Sequence, residues 1–235
     1  MPRAAPPSGP PPKRRHPVGG GYPRGDETRS KIIIAALEVF GTSGFDGAST
    51  RLLADKAGVN LPALQYYFDG KEGLYLACAD YIADQLEARL GARIQHIDAV
   101  LMGEDLARAD LLTLLYAFLD DLVDFFVGDH GPETWVLFIV REQAQPTRAF
   151  DIIFTRVMSR SLTVCTRLVG RLLGLPTTDP VLRIRALAVL GQIVFFRTAR
   201  ETALRMLGWP RFDAEHVALV KQALREQVTA ALGGV

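Results

Sequence analysis

The punctuation of the chain beyond residue 25 constrains its fold more than any other feature. Gly131-Pro132, Pro146-Thr147, Asp179-Pro180 and Pro210 each stand where one apolar-periodic segment ends and the next begins. Proline blocks a helix interior but fits a first turn, and a neighbouring Thr or Asp can cap the new helix. Between these marks apolar residues recur at three- and four-residue steps, and no stretch alternates as a half-buried strand does. The periodicity predicts helices over about 105–127, 132–145, 147–174, 180–208 and 213–232. Upstream, Ile32, Ile33, Ala36, Val39 and Phe40 form one stripe, with Asp26 or Thr28 as the cap and an end near Ser43-Gly44. A short helix follows from Thr50 to Ala57, capped by Ser49. A second, "LPALQYYF", is capped by Asn60 and carries Pro62 in its first turn. A long helix then runs from Lys71 to about Ile94. The fold class is all-α, with a three-helix N-terminal unit over 26–72 and a larger helical unit over 73–235.

Residues 1–25 are different. They hold eight of the fourteen prolines, with Lys13, Arg14, Arg15 and Arg24. Such a segment buries too little apolar surface to offset its ordering entropy, which predicts a disordered tail. It is either a solubilising extension or a basic arm that adds phosphate contacts. The net charge of +1 names no partner, but residues 1–72 carry ten Lys/Arg against seven Asp/Glu. That excess is the weak footprint of a segment that meets an anion such as DNA. Cys78 and Cys165 share no metal-like spacing and read as free thiols in a reducing cytoplasm. No apolar run reaches the roughly 18 residues of a membrane span, and the N-terminus lacks the apolar core of a signal peptide. A cytoplasmic location is expected.

The two short helices, joined by a tight turn at Gly58, have the geometry of a helix-turn-helix. Ala54 is small where the helices approach, Gly58 supplies the turn, and Val59 and Leu64 point inward. Leu64 and Phe68, four apart, share the packing face. Asn60, Leu61, Pro62, Gln65 and Tyr66 are left outward or at the leading end, where a recognition helix meets base edges. Gln65 suits a bidentate pair with adenine, and apolar groups suit a thymine methyl. Tyr66, Tyr67, Thr50, Arg51 and Lys71 complete the candidate DNA-binding set as phosphate or groove contacts. For Tyr66 and Tyr67, partial burial as packing residues stands as the alternative.

At this point a resemblance becomes visible. Thr28-Arg29, Ile32, Ala36, Phe40, Gly44-Phe45, Ser49-Thr50, Ala54, Gly58-Val59, Leu64, Tyr67-Phe68 and Lys71-Glu72 follow one uninterrupted spacing. Residues 28–75 resemble the DNA-binding domain of the TetR family of bacterial transcriptional regulators. Gln65 and Tyr67 stand where that family often has Tyr and His, and Pro62 where it has a small residue. "WVLFIVREQAQPTRAFD" and "GQIVFFRTARETALRMLGW" resemble the CecR-like branch. The resemblance implies a homodimeric repressor that binds a double-stranded DNA operator, with a small-molecule effector tied in relatives to drug sensitivity or efflux. The larger unit would then be an effector-binding and dimerisation domain.

Within that unit, Trp135, Phe138, Ile139 and Glu142 share one helix face. A carboxyl group at the end of an aromatic stripe needs a partner, and Gln192 and Arg197 are candidates. The alternatives are an internal ion pair that fixes packing and a ligand pocket. The pocket reading draws on Phe118, Phe125, Trp135, Phe138, Glu142, Phe154, Met158, Gln192, Phe196 and Arg197, and predicts an apolar or aromatic effector. Val217, Val220, Leu224 and Val228 on the last helix, with Ala188 and Gly191 on an earlier one, form the expected dimer interface, a four-helix bundle.

Catalysis finds little support. His16, His96, His130 and His216 are scattered, and no metal-ligand spacing, nucleophile elbow, phosphate loop or dinucleotide fingerprint occurs. The expectation is no enzyme, no cofactor and no metal. A helical protein-interaction module without specific DNA binding is the competing reading.

Overall fold

The computed structural model describes residues 23–103, 106–128 and 132–233. The readings for residues 1–22 lie outside that range. Eleven helices appear among the described residues: α1 Pro23–Gly47, α2 Thr50–Ala57, α3 Leu61–Phe68, α4 Lys71–Leu101, α5 Arg108–Phe126, α6 Glu133–Ala144, α7 Arg148–Ile153, α8 Ser159–Leu173, α9 Pro180–Thr198, α10 Arg200–Leu207 and α11 Ala214–Gly233. One π-helical turn, Phe154–Met158, joins α7 to α8.

Three of the predicted caps, Ser49, Asn60 and Asp179, are in place. Ser49 Oγ accepts from the Leu52 N–H at 3.1 Å, and Asn60 Oδ1 from that of Ala63 at 3.0 Å. Asp179 accepts from the N–H of Val181 and Leu182, with Pro180 opening α9 behind it. Each satisfies donors that a helix start leaves unpaired.

Several expectations need correction. α1 begins at Pro23, so Asp26 and Thr28 lie inside the helix rather than capping it. α4 runs past Ile94 to Leu101, because Ile94, Ile97 and Leu101 continue its buried stripe. The predicted helix 180–208 breaks at Ala199 into α9 and α10. That break redirects the chain so that Leu204 and Phe212 reach the core, with Arg200 over the Phe212 ring. The segment 147–174 contains the π turn, a one-residue excess in the helical ladder.

One continuous core joins the two expected units. α1 packs on α2, α4 and α6, and α4 packs on α5, α7 and α8. α5 packs on α8, α9 and α11. The boundary expected at 72/73 therefore falls inside the first turn of α4. No helix among the described residues is long and apolar enough to cross a membrane.

Cys78 and Cys165 are fully buried. Burial pushes both thiols up from the ordinary 9.0, Cys165 to about 12 and Cys78 further. A raised native pKa contributes stability that is complete below the unfolded value and is lost as pH rises toward the native one. Stability is therefore expected to fall above pH 9 by about 1.4 kcal/mol per pH unit for each thiol. Urea unfolding at pH 8 and pH 10 checks this; equal midpoints would refute it.

Candidate nucleic-acid interface

The turn between α2 and α3 is set by Gly58, at φ 65 and ψ 37. Its N–H and that of Val59 close α2 on the carbonyls of Asp55 and Ala54 at 3.2 and 3.0 Å. This left-handed closure favours glycine. Leu53, Ala54 and Ala57 of α2 are buried, as are Leu64 and Phe68 of α3. α3 thus spends one face on packing. Its other face is open: Asn60, Leu61, Pro62, Gln65 and Tyr66 are exposed, Tyr66 at 83% and Leu61 at 48%. Thr50 and Arg51 are exposed at the start of α2.

Tyr67 is half-buried against the core, and its ring meets that of Tyr66 edge-on at 5.1 Å. The packing alternative therefore describes Tyr67 in part and Tyr66 not at all. Gln65 Nε2 donates to Asp69 Oδ1 at 2.8 Å. Asp69 itself holds the left-handed φ of 57 that closes α3, the one such non-glycine among the described residues. That bond fixes which way the Gln65 amide points. It leaves one N–H and the carbonyl oxygen free for a base edge. Lys71 is more occupied than its spacing suggests. Its Nζ donates to the Phe45 carbonyl at 2.9 Å and lies 4.2 Å from the centre of the Phe45 ring. An ammonium has three donors, so two remain for a phosphate.

The aromatic set expected around an effector does not converge. Phe118, Phe125, Trp135 and Phe138 are buried core. Phe154 is exposed and lines a groove of about 570 Å³ with Leu162, Arg183 and Leu187. Gln192 and Phe196 line a different groove, about 380 Å³, between α9 and α11. Met158 is half-buried and takes a contact from Gln143 Nε2 at 3.6 Å.

Glu142 needs the plainest correction. It is only 2% exposed, and among the described residues its hydrogen bonds go to neither Gln192 nor Arg197. Tyr75 Oη donates to Oε1 at 2.6 Å. The Thr147 N–H and hydroxyl and the Phe150 N–H donate to Oε2 at 3.0, 2.9 and 2.9 Å. Glu142 is thus a cap for α7 supplied by α6, held also by α4. Burial, then this bond, pushes the Tyr75 phenol above its ordinary 10.0. The "Gln-Pro-Thr" turn that follows was the available signal, since it places a helix N-terminus five residues from the carboxyl group.

The dimer stripe on α11 also needs correction. Val217, Val220, Leu224 and Val228 are buried within their own chain. The stripe is the face by which α11 joins the core. Ala188 and Gly191 are exposed, among Val181, Ile184, Leu187 and Phe195.

Comparison with known proteins agrees with this geometry. Residues 32–78 match the model of bacterial regulatory proteins of the tetR family. Residues 111–235 match that of the C-terminal domain of the HTH-type transcriptional dual regulator CecR. The chain belongs to the TetR family. It is 32% identical over 212 residues to the CecR regulator of Shigella flexneri, spanning 90% of this chain and 94% of that protein. In fold it is similar to AibR, crystallised with isovaleryl coenzyme A and operator DNA, at TM-score 0.62 and 17% identity. That match covers 86% of this chain and 97% of AibR. A Pseudomonas aeruginosa PAO1 regulator gives TM-score 0.63 at 16% identity, covering 89% and 92%. This TetR-family chain is a DNA-binding transcriptional regulator, and the protein-interaction alternative is set aside.

Proposed function

We propose that this regulator is a homodimeric repressor that leaves a palindromic operator when a small apolar or aromatic effector enters its helical body. The observation that carries the reading is the open face of α3, set two residues before the rigid helix α4. Asn60, Leu61, Pro62, Gln65 and Tyr66 meet the major groove; Thr50, Arg51, Tyr67 and the two free donors of Lys71 meet phosphates.

Dimerisation uses the outward face of α9 with Leu219 of α11. Ile184 and Leu187 are 64% and 56% exposed there, which is unusual for side chains of that kind on an isolated surface. A two-fold axis places two α3 helices about 34 Å apart, one turn of DNA. AibR was crystallised in complex with isovaleryl coenzyme A and operator DNA, which supports a small-molecule effector for this fold. In this chain the groove beside Gln192 is the favoured effector entrance. Gln192 Oε1 is buried there without a hydrogen-bond partner among the described residues. An effector acts through its preference for one tilt of α4 over another. Operator-bound and effector-bound forms are then expected to differ in α3 separation.

The first experiment is selection of bound sequences from a random duplex pool at stated salt. A palindromic consensus is expected, and no enrichment above non-specific binding would overturn the reading. On the selected operator, Gln65→Ala is expected to relax preference at one base position in each half-site, by about 1–3 kcal/mol. Equal weakening on all sequences would instead make Gln65 a phosphate contact.

A further inference from the structure

Arg141 and Glu142 are neighbours on α6 and hold opposite sides of the molecule. Glu142 grips α7 and α4. Arg141 reaches the other way, to α1. Its Nε lies 3.0 Å from the Gly41 carbonyl and its Nη2 2.6 Å from that of Thr42. These are among the last carbonyls before Gly44 interrupts α1 at φ 72 and ψ 179, a backbone region that belongs to glycine. Carbonyls at a helix end lack donors from their own helix and carry the negative end of its dipole. The planar guanidinium answers both needs, with two donors set at a fixed angle.

The same seam is tight elsewhere. A Cβ at Gly41 would lie 2.9 Å from the Thr134 carbonyl of α6. α1 and α6 therefore meet almost backbone to backbone. Just past the Gly44 break, the Phe45 carbonyl is tied to Lys71 at the start of α4. The reading unit thus meets the body along two seams. One is the continuous helix α4, which enters through Gly70 at φ 102 and on which α1 and α3 pack. The other is the packing of α1 on α6, to which Arg141 adds directed hydrogen bonds. Apolar packing alone lets helices slide and tilt by small angles, whereas a guanidinium fixed to two carbonyls selects one of them.

We infer that Arg141 sets the angle of the helix-turn-helix on the body, and so the half-site separation that the dimer accepts. Arg141 is a positioning residue: it holds α1 rather than touching DNA. The inference rests on the proposed reading of α3 as base reader in a two-fold dimer.

The test uses the full-length protein and the operator selected by the wild type, with its centre shortened or lengthened by one and two base pairs. Each base pair moves the half-sites by about 3.4 Å along the axis. Wild-type affinity is expected to fall steeply on every altered spacing. Arg141→Ala is expected to flatten that profile, with the ratio between the selected spacing and its neighbours shrinking about tenfold. Arg141→Lys keeps the charge but not the fork, and is expected to fall between the two; it carries the test if the alanine variant does not fold. A variant that loses affinity in the same proportion on every spacing would overturn the inference, since that is the mark of general destabilisation. A wild type that selects no palindrome would overturn the underlying reading, and this inference with it.

Discussion

Replacing Glu142 by alanine is expected to lower stability by about 3 kcal/mol, which moves the thermal midpoint down by about 6–12 °C in a chain of this size. The cost comes from what the carboxyl group leaves behind. The Tyr75 hydroxyl, the Thr147 and Phe150 N–H groups and the Thr147 hydroxyl all donate to it. Once it is removed, the buried phenol has no acceptor, the Thr147 and Phe150 N–H groups lose theirs, and α7 keeps only the Thr147 cap on Ala149. A void also opens beside Phe138 and Tyr75, whose ring centres are 4.6 Å apart. Glu142→Gln keeps the volume and one acceptor oxygen, so a loss of about 1–2 kcal/mol is expected. Tyr75→Phe removes only one end of the shortest bond. Its effect and that of Glu142→Gln are expected to be non-additive, as for groups in one hydrogen-bonded network. Thermal unfolding of the wild type, the three single variants and the Tyr75→Phe/Glu142→Gln double variant measures this. A Glu142→Ala shift within one or two degrees would mean that water or rearranged side chains replace the carboxyl group.

The same residue shows what the sequence could and could not convey. That Glu142 lies on the face of Trp135 and Phe138 was legible from spacing alone. Its partners were not, because Tyr75 is 67 residues away and joins the face only through the packing of α4 on α6 and α7. Local signals did better. Ser49, Asn60 and Asp179 cap the helices that they precede, and the α2–α3 turn at Gly58 has the geometry that its residues require. Those features depend on neighbours within four residues. The break at Ala199 depends instead on where Phe212 finds room in the core, and no composition marks it. The outward face of α3 was legible because Leu64 and Phe68 claim the inward one. The tie between Gln65 and Asp69, also four apart, was available in principle, since a Gln–Asp pair at that spacing can bond across one helical turn.

The α11 stripe carries the sharper lesson, because an amphipathic pattern states that a face is buried without stating against what. This separates two substitutions that sequence alone would group together. Val220→Glu places a charge in the protomer's own core and is expected to unfold it. Ile184→Glu with Leu187→Glu changes two side chains already in water in the protomer, so its helicity and unfolding midpoint as a monomer are expected to survive. What should be lost is the pairing. In the proposed dimer, two α3 helices on one body bind the second half-site at a high effective concentration, and separating them is expected to weaken operator binding by about 10²- to 10⁴-fold. Binding to an isolated half-site, measured at the same salt, should stay within a few fold, because the contacts of α3 are untouched. Light scattering alongside duplex titration reads both quantities. A double variant that keeps the dimer mass would move the interface away from the outward face of α9, while one that turns monomeric yet binds the full operator as well as before would show that the two half-sites are not read as a unit.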